Sequence, residues 1–306
     1  MNGTAARTLT ALEARWGRAG AVHFEERFGG LVAVLTTANA NAVVALQGAQ
    51  VLSFVPAGQD DVLWLSPAAR LGTGRAVRGG VPICWPWFGA HPSDSSKPAH
   101  GLVRVRDWQV VGSASSVAHS RLVMAVAPAA GDGSLWPGGA WLQLEITLTD
   151  TLALALATEN RGGDVLAITG ALHTYLAVGD ISNATIEGLS GRPYIDQLAA
   201  QVMHGDAAPV TITGEIDRIY QETADTVTVV DHARGRRVNI AKQGSRSTVV
   251  WNPWIEKNAR LGDLGAEGYR RMVCVETANA GSDVVTLAAG ARHRLFANIS
   301  VEKIET

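Results

Sequence analysis

The chain has 306 residues, of which 47% are hydrophobic and 18% are charged, so it can bury a large core as either two domains or one large β domain. Its formal net charge of -2 argues against the broad basic face that sequence-independent nucleic-acid binding needs, so an anionic ligand would require a local basic site. No apolar run approaches the ~20 residues of a membrane-spanning helix, and we expect no membrane partner.

The predicted elements begin with a short helix over TLTALEARWG (8–17), within a peripheral N-terminal segment, 1–20. Short apolar runs separated by Gly, Asn, Asp and Pro follow in LVAVLTTANANAVVALQGAQVLSFVPAGQDDVLWL (31–65), a pattern typical of successive strands joined by tight turns. The first 20 residues lack the apolar core of a signal peptide, and two cysteines without a disulfide framework suit a reducing compartment. We therefore expect a cytoplasmic protein with buried thiols.

The clearest strand pair is WLQLEITLTDTLALALATENRGG (141–163). Leucine and isoleucine alternate with polar residues before the turn near Asp150, and leucines alternate again after it. A period of two places each apolar set on one face of a strand, so the segment is predicted to be a hairpin with one buried face.

Strand-like runs continue to the end of the chain, and helix is otherwise expected only as a turn around GDLGAEGYRR (262–271). Many short strands with few helices favour an all-β fold, a large antiparallel β-sandwich. No linker, repeat or low-complexity segment divides the sequence, so we predict a single domain over 1–306. The sequence does not define the oligomeric state, and a monomer is the working expectation.

Three polar residues stand out in these strand-like runs. His173 lies between apolar residues in TGALHTYLAVGD, and Glu276 ends the apolar run RMVCVET, where burying a charge is costly unless the group is paired or functional. Taken alone, His173 in such a run is more often a structural histidine than a functional one. Asp217 precedes Arg218, so a local ion pair is the alternative to a functional role.

A segment rich in Gly, Pro and Trp, RGGVPICWPWFGAHPSDSSKPAHGLVR, has an arginine at each end, Arg78 and Arg104. It is either a structured turn region with core aromatics or part of a pocket for a polar, anionic ring. The eight histidines form no cluster of the usual metal-ligand spacing, and neither G-x-S-x-G nor a phosphate loop occurs. We expect no metal and no cofactor.

Five pieces of the chain, in this order, resemble the aldose 1-epimerase superfamily: RGGVPICWPWFG, AHGLVRVRDWQV, ALHTYLAVGDI, GEIDRIYQET and VVWNPWIEKNARLGDLGAEGYRRMVCVET. The similarity is greatest to its hexose-6-phosphate mutarotase branch, the glucose-6-phosphate 1-epimerases, and covers most of the chain. It implies a galactose mutarotase-like β supersandwich, in agreement with the strand pattern.

The resemblance also implies roles for single residues. His173 matches the catalytic acid and Glu276 the catalytic base; the other matches bind substrate, with Asp217 on sugar hydroxyls and Arg78 and Arg104 on the 6-phosphate. His100 matches the histidine that opens the HGLVR motif, a further substrate contact. Some relatives have glutamine just before this histidine, whereas this chain has Ala99, which leaves the sugar preference open.

The implied activity is interconversion of the α and β anomers of D-glucose 6-phosphate and related hexose 6-phosphates. A base removes the C1 hydroxyl proton, an acid protonates the ring oxygen, and the open aldehyde recloses on its other face. Three alternatives remain: a mutarotase of free aldoses with structural arginines, a non-catalytic sugar-phosphate binding protein, and a glycosidase with two carboxylates.

Overall fold

The computed structural model describes residues 8–72, 74–205 and 207–304. Helices in these ranges are α1 (Leu9–Trp16), α2 (Trp254–Leu261) and α3 (Gly268–Arg271), with three-residue 3₁₀ turns at Val103–Val105, Gly133–Leu135 and Ile181–Asn183. None of these helices is long and apolar enough to cross a membrane.

Strands make up most of the regular structure. In chain order they are β1 (Val22–Arg27), β2 (Gly30–Thr36), β3 (Ala40–Ala45), β4 (Val51–Pro56), β5 (Ile83–Cys84), β6 (Gln109–Ser115), β7 (Ser120–Val126), β8 (Ala140–Leu148), β9 (Leu152–Asn160), β10 (Leu166–Ile168), β11 (Gly170–Leu172), β12 (Tyr175–Ala177), β13 (Ala184–Glu187), β14 (Pro193–Asp196), β15 (Gln201–His204), β16 (Val210–Thr211), β17 (Ile216–Gln221), β18 (Val227–Asp231), β19 (Arg236–Gln243), β20 (Ser247–Asn252), β21 (Met272–Asn279), β22 (Val285–Leu287) and β23 (Arg292–Lys303).

Two large sheets dominate the molecule. A nine-stranded sheet has the order β16-β13-β18-β19-β23-β9-β8-β7-β6, and an eight-stranded sheet has the order β15-β14-β17-β20-β21-β11-β5, with β12 also paired to β21. The sheet β1-β2-β3-β4 and the pair β10-β22 complete the structure. Pairing between adjacent strands is antiparallel, as in the β8–β9 hairpin and its neighbours. The prediction of a large antiparallel β-sandwich is confirmed.

One continuous apolar cluster joins the sheets. It contains the alternating leucines of β8 and β9, as predicted for the hairpin, together with Val273 and Val275 of β21 and Phe54 of β4. Leu12 of α1 belongs to the same cluster, so the N-terminal helix is anchored; residues 1–7 of the predicted peripheral segment lie outside the described ranges. The single domain stays a prediction, which this shared core supports.

The eight-stranded sheet is covered on both faces. Met272, Cys274, Glu276 and Ala278 of β21 point away from the core that Val273 and its alternate neighbours enter, yet the whole strand is buried. Loops and the α2–α3 segment cover this second face. A strand buried on both sides shows no alternation of apolar and polar residues in its sequence.

Helix α2 is a difference from the prediction, which placed helix only near the start and around 262–271. The Asn252 side chain accepts a hydrogen bond from the Trp254 amide at 2.9 Å, and Gly262 ends the helix in the left-handed conformation. Both are ordinary helix-terminus signals. Helix α2 has only eight residues and directly follows the strand-like run STVVWN, and no helix was expected there from the sequence.

Glycines allow the arginine-flanked segment to pack tightly on the sheet. Gly79 has φ +112°, and a Cβ there would lie 2.5 Å from the Trp64 carbonyl oxygen. Gly101, with φ +77°, approaches the Trp85 carbonyl more closely still. Because no other residue tolerates both the backbone angle and the contact, these glycines fix the positions of Arg78 and His100 beside them.

Candidate active site

A row of side chains crosses the covered face of the eight-stranded sheet. In the cross-strand register, Tyr175 of β12 pairs with Cys274 of β21, Cys274 pairs with Trp251 of β20, and Trp251 pairs with Asp217 of β17. Directly opposed residues in a sheet share a face, so these four side chains form one surface. Glu276, two residues beyond Cys274 on β21, lies on the same face.

His173 reaches this surface from the break between β11 and β12. Its amide donates to the Pro82 carbonyl at 2.9 Å, and its imidazole stacks on the Tyr175 ring with centroids 4.9 Å apart and planes 8° from parallel. Nδ1 lies 3.3 Å from Oε1 of Glu276. The fold therefore brings together two groups that lie 103 positions apart in the sequence and holds the imidazole plane in place.

Both groups are buried, and burial shifts the two pKa values in opposite directions. It raises the pKa of Glu276 well above its ordinary value, with a further increase from the nearby Asp217 carboxylate. It lowers the pKa of His173 well below its ordinary value, and the neighbouring His100, Arg104 and Arg78 side chains add to this. Burial thus favours the neutral forms of both side chains, in which the pair carries one proton, on the carboxyl group.

The pair also contains buried polar atoms that no group in the described residues satisfies. Nδ1 of His173 and Oε2 of Glu276 are inaccessible to solvent and have no hydrogen-bond partner, the 3.3 Å approach of Nδ1 to Oε1 lacking hydrogen-bond geometry. Leaving such atoms unpaired typically costs about 1–3 kcal/mol each. Unsatisfied groups of this kind in a folded protein call for a functional explanation.

The pair opens into a cavity of about 200 Å³. Its wall consists of Arg78, Phe88, His100, His173, Tyr175, Asp217, Val249, Trp251, Lys257, Leu261 and Glu276. Aromatic faces and a few polar groups in one concave site are typical of a small-molecule binding pocket.

Asp217 faces this cavity from β17. Burial raises its pKa to about 6, although the Lys257 ammonium, 4.0 Å from Oδ2, opposes the shift. Arg218 does not pair with Asp217, because neighbouring residues of a strand point to opposite faces; its guanidinium contacts the Tyr220 hydroxyl at 3.3 Å instead. The local ion pair considered from the sequence is therefore wrong.

His100 lies across the cavity from the pair, with its ring 5.5 Å from the His173 ring. Burial, with Arg104 and Arg78 nearby, lowers its pKa to about 3, so it is neutral. Its Nδ1 accepts a hydrogen bond from the Gly89 amide at 3.3 Å. In a neutral imidazole the other nitrogen then carries the proton, so Nε2 of His100 is a donor.

Arg78 and Arg104 differ in their surroundings. Arg78 lines the cavity, with Nε 3.2 Å from both Asp263 oxygens, Nη2 3.1 Å from Oδ2, and Nη1 3.4 Å from the Tyr175 hydroxyl. It also borders a wider cavity of about 510 Å³ that includes Arg70 and Arg75. Arg104 is outside the described cavity wall, and its Nη2 donates to the Ala99 carbonyl at 2.8 Å.

The structure therefore gathers five of the predicted residues around one cavity: Arg78, His100, His173, Asp217 and Glu276. Arg104 is close enough to influence the pKa values of three of them, His100, His173 and Glu276. The sequence reasoning did not single out Tyr175, Trp251, Lys257 or Cys274 as part of the site. Tyr175 had a usable signal, because it follows His173 by two positions in a strand-like run. Lys257 depended on recognising α2.

A possible cation-binding set is also present. One imidazole nitrogen of His173, the Cys274 sulfur and one carboxylate oxygen of Glu276 lie within 4.8 Å of one another. The expectation of no metal was based on short ligand spacings, which cannot detect donors brought together by different strands. Burial raises the pKa of the Cys274 thiol well above its ordinary value, so the thiol is protonated unless an ion displaces the proton.

Comparison with known proteins places this geometry in a family. The model of the family described as aldose 1-epimerase matches residues 32–300. The chain belongs to the aldose 1-epimerase family. It is accordingly an isomerase of the anomer-interconverting type, as the sequence resemblance implied.

Relatives of this family member carry more specific names. A protein of Escherichia coli with the provisional name glucose-6-phosphate 1-epimerase is 34% identical over 241 residues, covering 78% of this chain and 80% of the relative. One from Cenchrus ciliaris with the same provisional name is 32% identical over 268 residues, covering 84% and 80%. A crystal structure from Salmonella typhimurium, provisionally described as a mutarotase, has a TM-score of 0.86 at 29% identity and covers 92% of this chain and 94% of its own. The galactose mutarotase-like fold is confirmed.

Proposed function

We propose that this protein interconverts the α and β anomers of D-glucose 6-phosphate and related hexose 6-phosphates. The observation that carries the proposal is the opposition of His173 and Glu276 at 3.3 Å in a cavity whose wall also contains Arg78. The provisional names of the relatives agree with this substrate class. From the sequence we also keep the expectations of a cytoplasmic location and a monomer, and both cysteines are free and buried as expected.

The chemistry needs one proton on the pair. With imidazolium at His173 and carboxylate at Glu276, the imidazolium donates to the ring oxygen while the carboxylate accepts the C1 hydroxyl proton. The pair then holds neutral imidazole and carboxylic acid, which is the state that burial favours. After the aldehyde turns, the same transfers in reverse close the ring and restore the starting state. The proton count is unchanged throughout, so no other acid or base is needed.

The remaining wall residues match the rest of the ligand. Asp217 accepts and His100 donates hydrogen bonds to sugar hydroxyls, and Trp251 and Phe88 offer apolar surface to the sugar ring. The guanidinium of Arg78 uses Nε and Nη2 on Asp263, while Nη1 has two N–H groups, of which only one can point at Tyr175. We assign the other N–H to the 6-phosphate, with Arg104 as its second partner.

The Asp263 contact also favours one alternative. An arginine held by a carboxylate has a structural explanation without phosphate, which is what a mutarotase of free aldoses would show. The two functions differ in what Arg78 and Arg104 do, so variants of these arginines separate them.

The test is anomer exchange by NMR on glucose 6-phosphate and glucose side by side. A hydrogen bond to a charged group is worth ~1.5–3 kcal/mol, so Arg78→Ala or Arg104→Ala should lower efficiency on glucose 6-phosphate roughly 10- to 150-fold and affect glucose far less. Arg104→Lys keeps the charge but loses the planar fork, and it should fall between wild type and Arg104→Ala.

Arg121→Ala is the matched control. Arg121 forms an ion pair with Glu145 at 3.0 Å, and both residues lie on the nine-stranded sheet, whereas the site lies on the eight-stranded sheet. The control variant should leave both activities unchanged. Equal losses on the two sugars in the Arg78 and Arg104 variants, together with a lower melting temperature, would favour structural arginines and a free aldose as substrate. Exchange of neither sugar by the wild type would indicate a binding protein instead.

A further inference from the structure

Three side chains with metal-binding atoms, His173, Cys274 and Glu276, come together from two parts of the chain. Cys274 and Glu276 are alternate residues of β21 and therefore face the same side of the sheet. His173 approaches from the β11–β12 break, and β12 pairs with β21 so that Tyr175 lies opposite Cys274. This geometry brings a nitrogen, a sulfur and an oxygen donor to within 4.8 Å of one another.

These donors are not engaged elsewhere in the described structure. Nδ1 of His173 and Oε2 of Glu276 are buried without hydrogen-bond partners, and the residues are 8% and 1% exposed. Cys274 is a free thiol with no solvent exposure. Two unpartnered polar atoms and an unpaired thiol in one buried cluster point to a ligand that accepts electron pairs.

The donor set selects a class of ion. Zn²⁺ binds thiolate at about 2.3 Å and imidazole or carboxylate at about 2.0–2.2 Å, so ligand atoms of a tetrahedral ion lie about 3.3–3.8 Å apart. The 3.3 Å separation of His173 and Glu276 is already in this range, and a shift of about 1 Å brings in the sulfur. Mg²⁺ and Ca²⁺ prefer oxygen donors only, so they are not expected here.

The cavity supplies the rest of the coordination shell. An ion held by three protein donors keeps its fourth position open to the adjoining space, where a water or a sugar hydroxyl can bind. The thiolate and the carboxylate together neutralise a divalent cation, which offsets its repulsion by the arginines nearby.

We propose that His173, Cys274 and Glu276 form a binding site for a thiophilic divalent cation of the Zn²⁺ class, and that a bound ion inhibits the enzyme. The ion occupies the imidazole nitrogen and the carboxylate that the reaction uses, and the Cys274 thiol and the Glu276 carboxyl group each release a proton to solvent as their bonds to the metal form. The inhibition rests on the proposed function of the pair, whereas the binding does not.

The binding is tested with Co²⁺ and the full chain. Titration with cobalt chloride should produce a thiolate-to-cobalt charge-transfer band with a stoichiometry of one, and added Zn²⁺ should abolish it. Cys274→Ser should lose the band, and Cys84→Ser is the control that should keep it, because Cys84 packs in a different apolar cluster. Absence of the band in the wild type, or its survival in Cys274→Ser, overturns the site.

Melting temperatures establish that the serine variants are folded, and Cys274→Ala replaces Cys274→Ser should the latter not fold. The wild-type titration alone still decides against the proposal when no band appears.

The inhibition is tested by NMR anomer exchange with Zn²⁺, each variant being compared with its own metal-free rate. Since loss of an outer-shell partner typically costs 10- to 100-fold in metal affinity, loss of the Cys274 ligand should raise the inhibitory Zn²⁺ concentration at least about tenfold. A chelator should restore the wild-type rate. Cobalt binding without any effect of Zn²⁺ on anomer exchange would overturn the proposed inhibition. Absence of anomer exchange in the metal-free wild type would overturn the proposed function, and the cobalt titration would still test the metal site independently.

Discussion

His173 and Glu276, the proposed acid and base, are held in fixed positions at the site. The imidazole is fixed by its backbone bond to Pro82 and by stacking on Tyr175, while Trp251 contacts it edge-on with ring centroids 6.3 Å apart. Burial raises the pKa of Glu276 and lowers the pKa of His173, so the pair holds one proton between them. A stiff pair with one mobile proton suits a reaction whose acid and base exchange roles at each turnover.

We therefore predict that either Glu276→Gln or His173→Asn lowers catalysed anomer exchange by about 100- to 10,000-fold while the fold persists. Glu276→Gln keeps the shape of the side chain and removes the proton acceptor, and His173→Asn removes the titrating imidazole. The measurement is two-dimensional exchange NMR on glucose 6-phosphate, with circular dichroism to verify folding. Near-normal exchange in both variants would show that other groups carry the proton.

The pair also predicts a bell-shaped dependence of efficiency on pH for the wild type. Adding a second proton to the pair at low pH or removing its only proton at high pH stops the reaction.

Among the elements, β19 and β20 show how the two large sheets are locked together. Lys242 lies on the inward face of β19, in the nine-stranded sheet, after Val238 and Ile240. Its ammonium donates to the Ser247 carbonyl at 2.9 Å and to the Thr248 hydroxyl at 2.6 Å, both on β20 of the other sheet. Burial lowers its pKa to about 7.

This pKa makes a prediction about stability. The unfolded chain keeps its lysine pKa near 10.5, so between about pH 7 and 10 the unfolded state binds one more proton at this site than the folded state. The contribution of Lys242 to the free energy of unfolding should rise with pH in this window, by up to about 1.4 kcal/mol per unit, and become constant below pH 7.

Denaturant titrations of wild type and Lys242→Met at several pH values isolate this contribution, because other titrating groups affect both proteins alike. The free energy of unfolding of the wild type minus that of Lys242→Met should increase from pH 7 to pH 10. Lys97→Met is the control for the substitution itself, since Lys97 lies at the surface beside Asp94. A flat difference for Lys242→Met would show that the buried ammonium keeps its ordinary pKa.

For the whole molecule, the shared apolar core is the property with the widest consequences. Strands of the two large sheets and of the β1–β4 sheet, as well as α1, contribute to one cluster. Because neither large sheet can expose its inner face without the other, we predict that the chain unfolds in one cooperative step.

Tryptophan fluorescence, far-ultraviolet circular dichroism and calorimetry should give coincident transitions, with the calorimetric enthalpy equal to the van't Hoff enthalpy. Two separated transitions would contradict the prediction of a single domain over 1–306. Added glucose 6-phosphate should raise the melting temperature of this single transition, since a ligand that binds only the folded chain stabilises it.

The sequence by itself determined the fold class and much of the site. The alternation in β8 and β9 has a period of two because one face of each strand lies in the core, and this information is local. His173 and Glu276 were identifiable because burying a polar group in an apolar run costs free energy unless the group is paired or functional, so such residues stand out in the sequence. The roles that we propose for them came from the resemblance of their motifs to the aldose 1-epimerase superfamily.

Only the tertiary structure decided how these residues meet. The register of β12, β21, β20 and β17 sets Tyr175, Cys274, Trp251 and Asp217 side by side, and register arises from pairing between strands that are distant in the chain. The same holds for Arg78 with Asp263 and for Lys257 with Asp217. It also holds for Cys274 beside the proposed catalytic pair. Contacts of this kind depend on how far apart atoms lie in space, and sequence spacing carries no record of that distance.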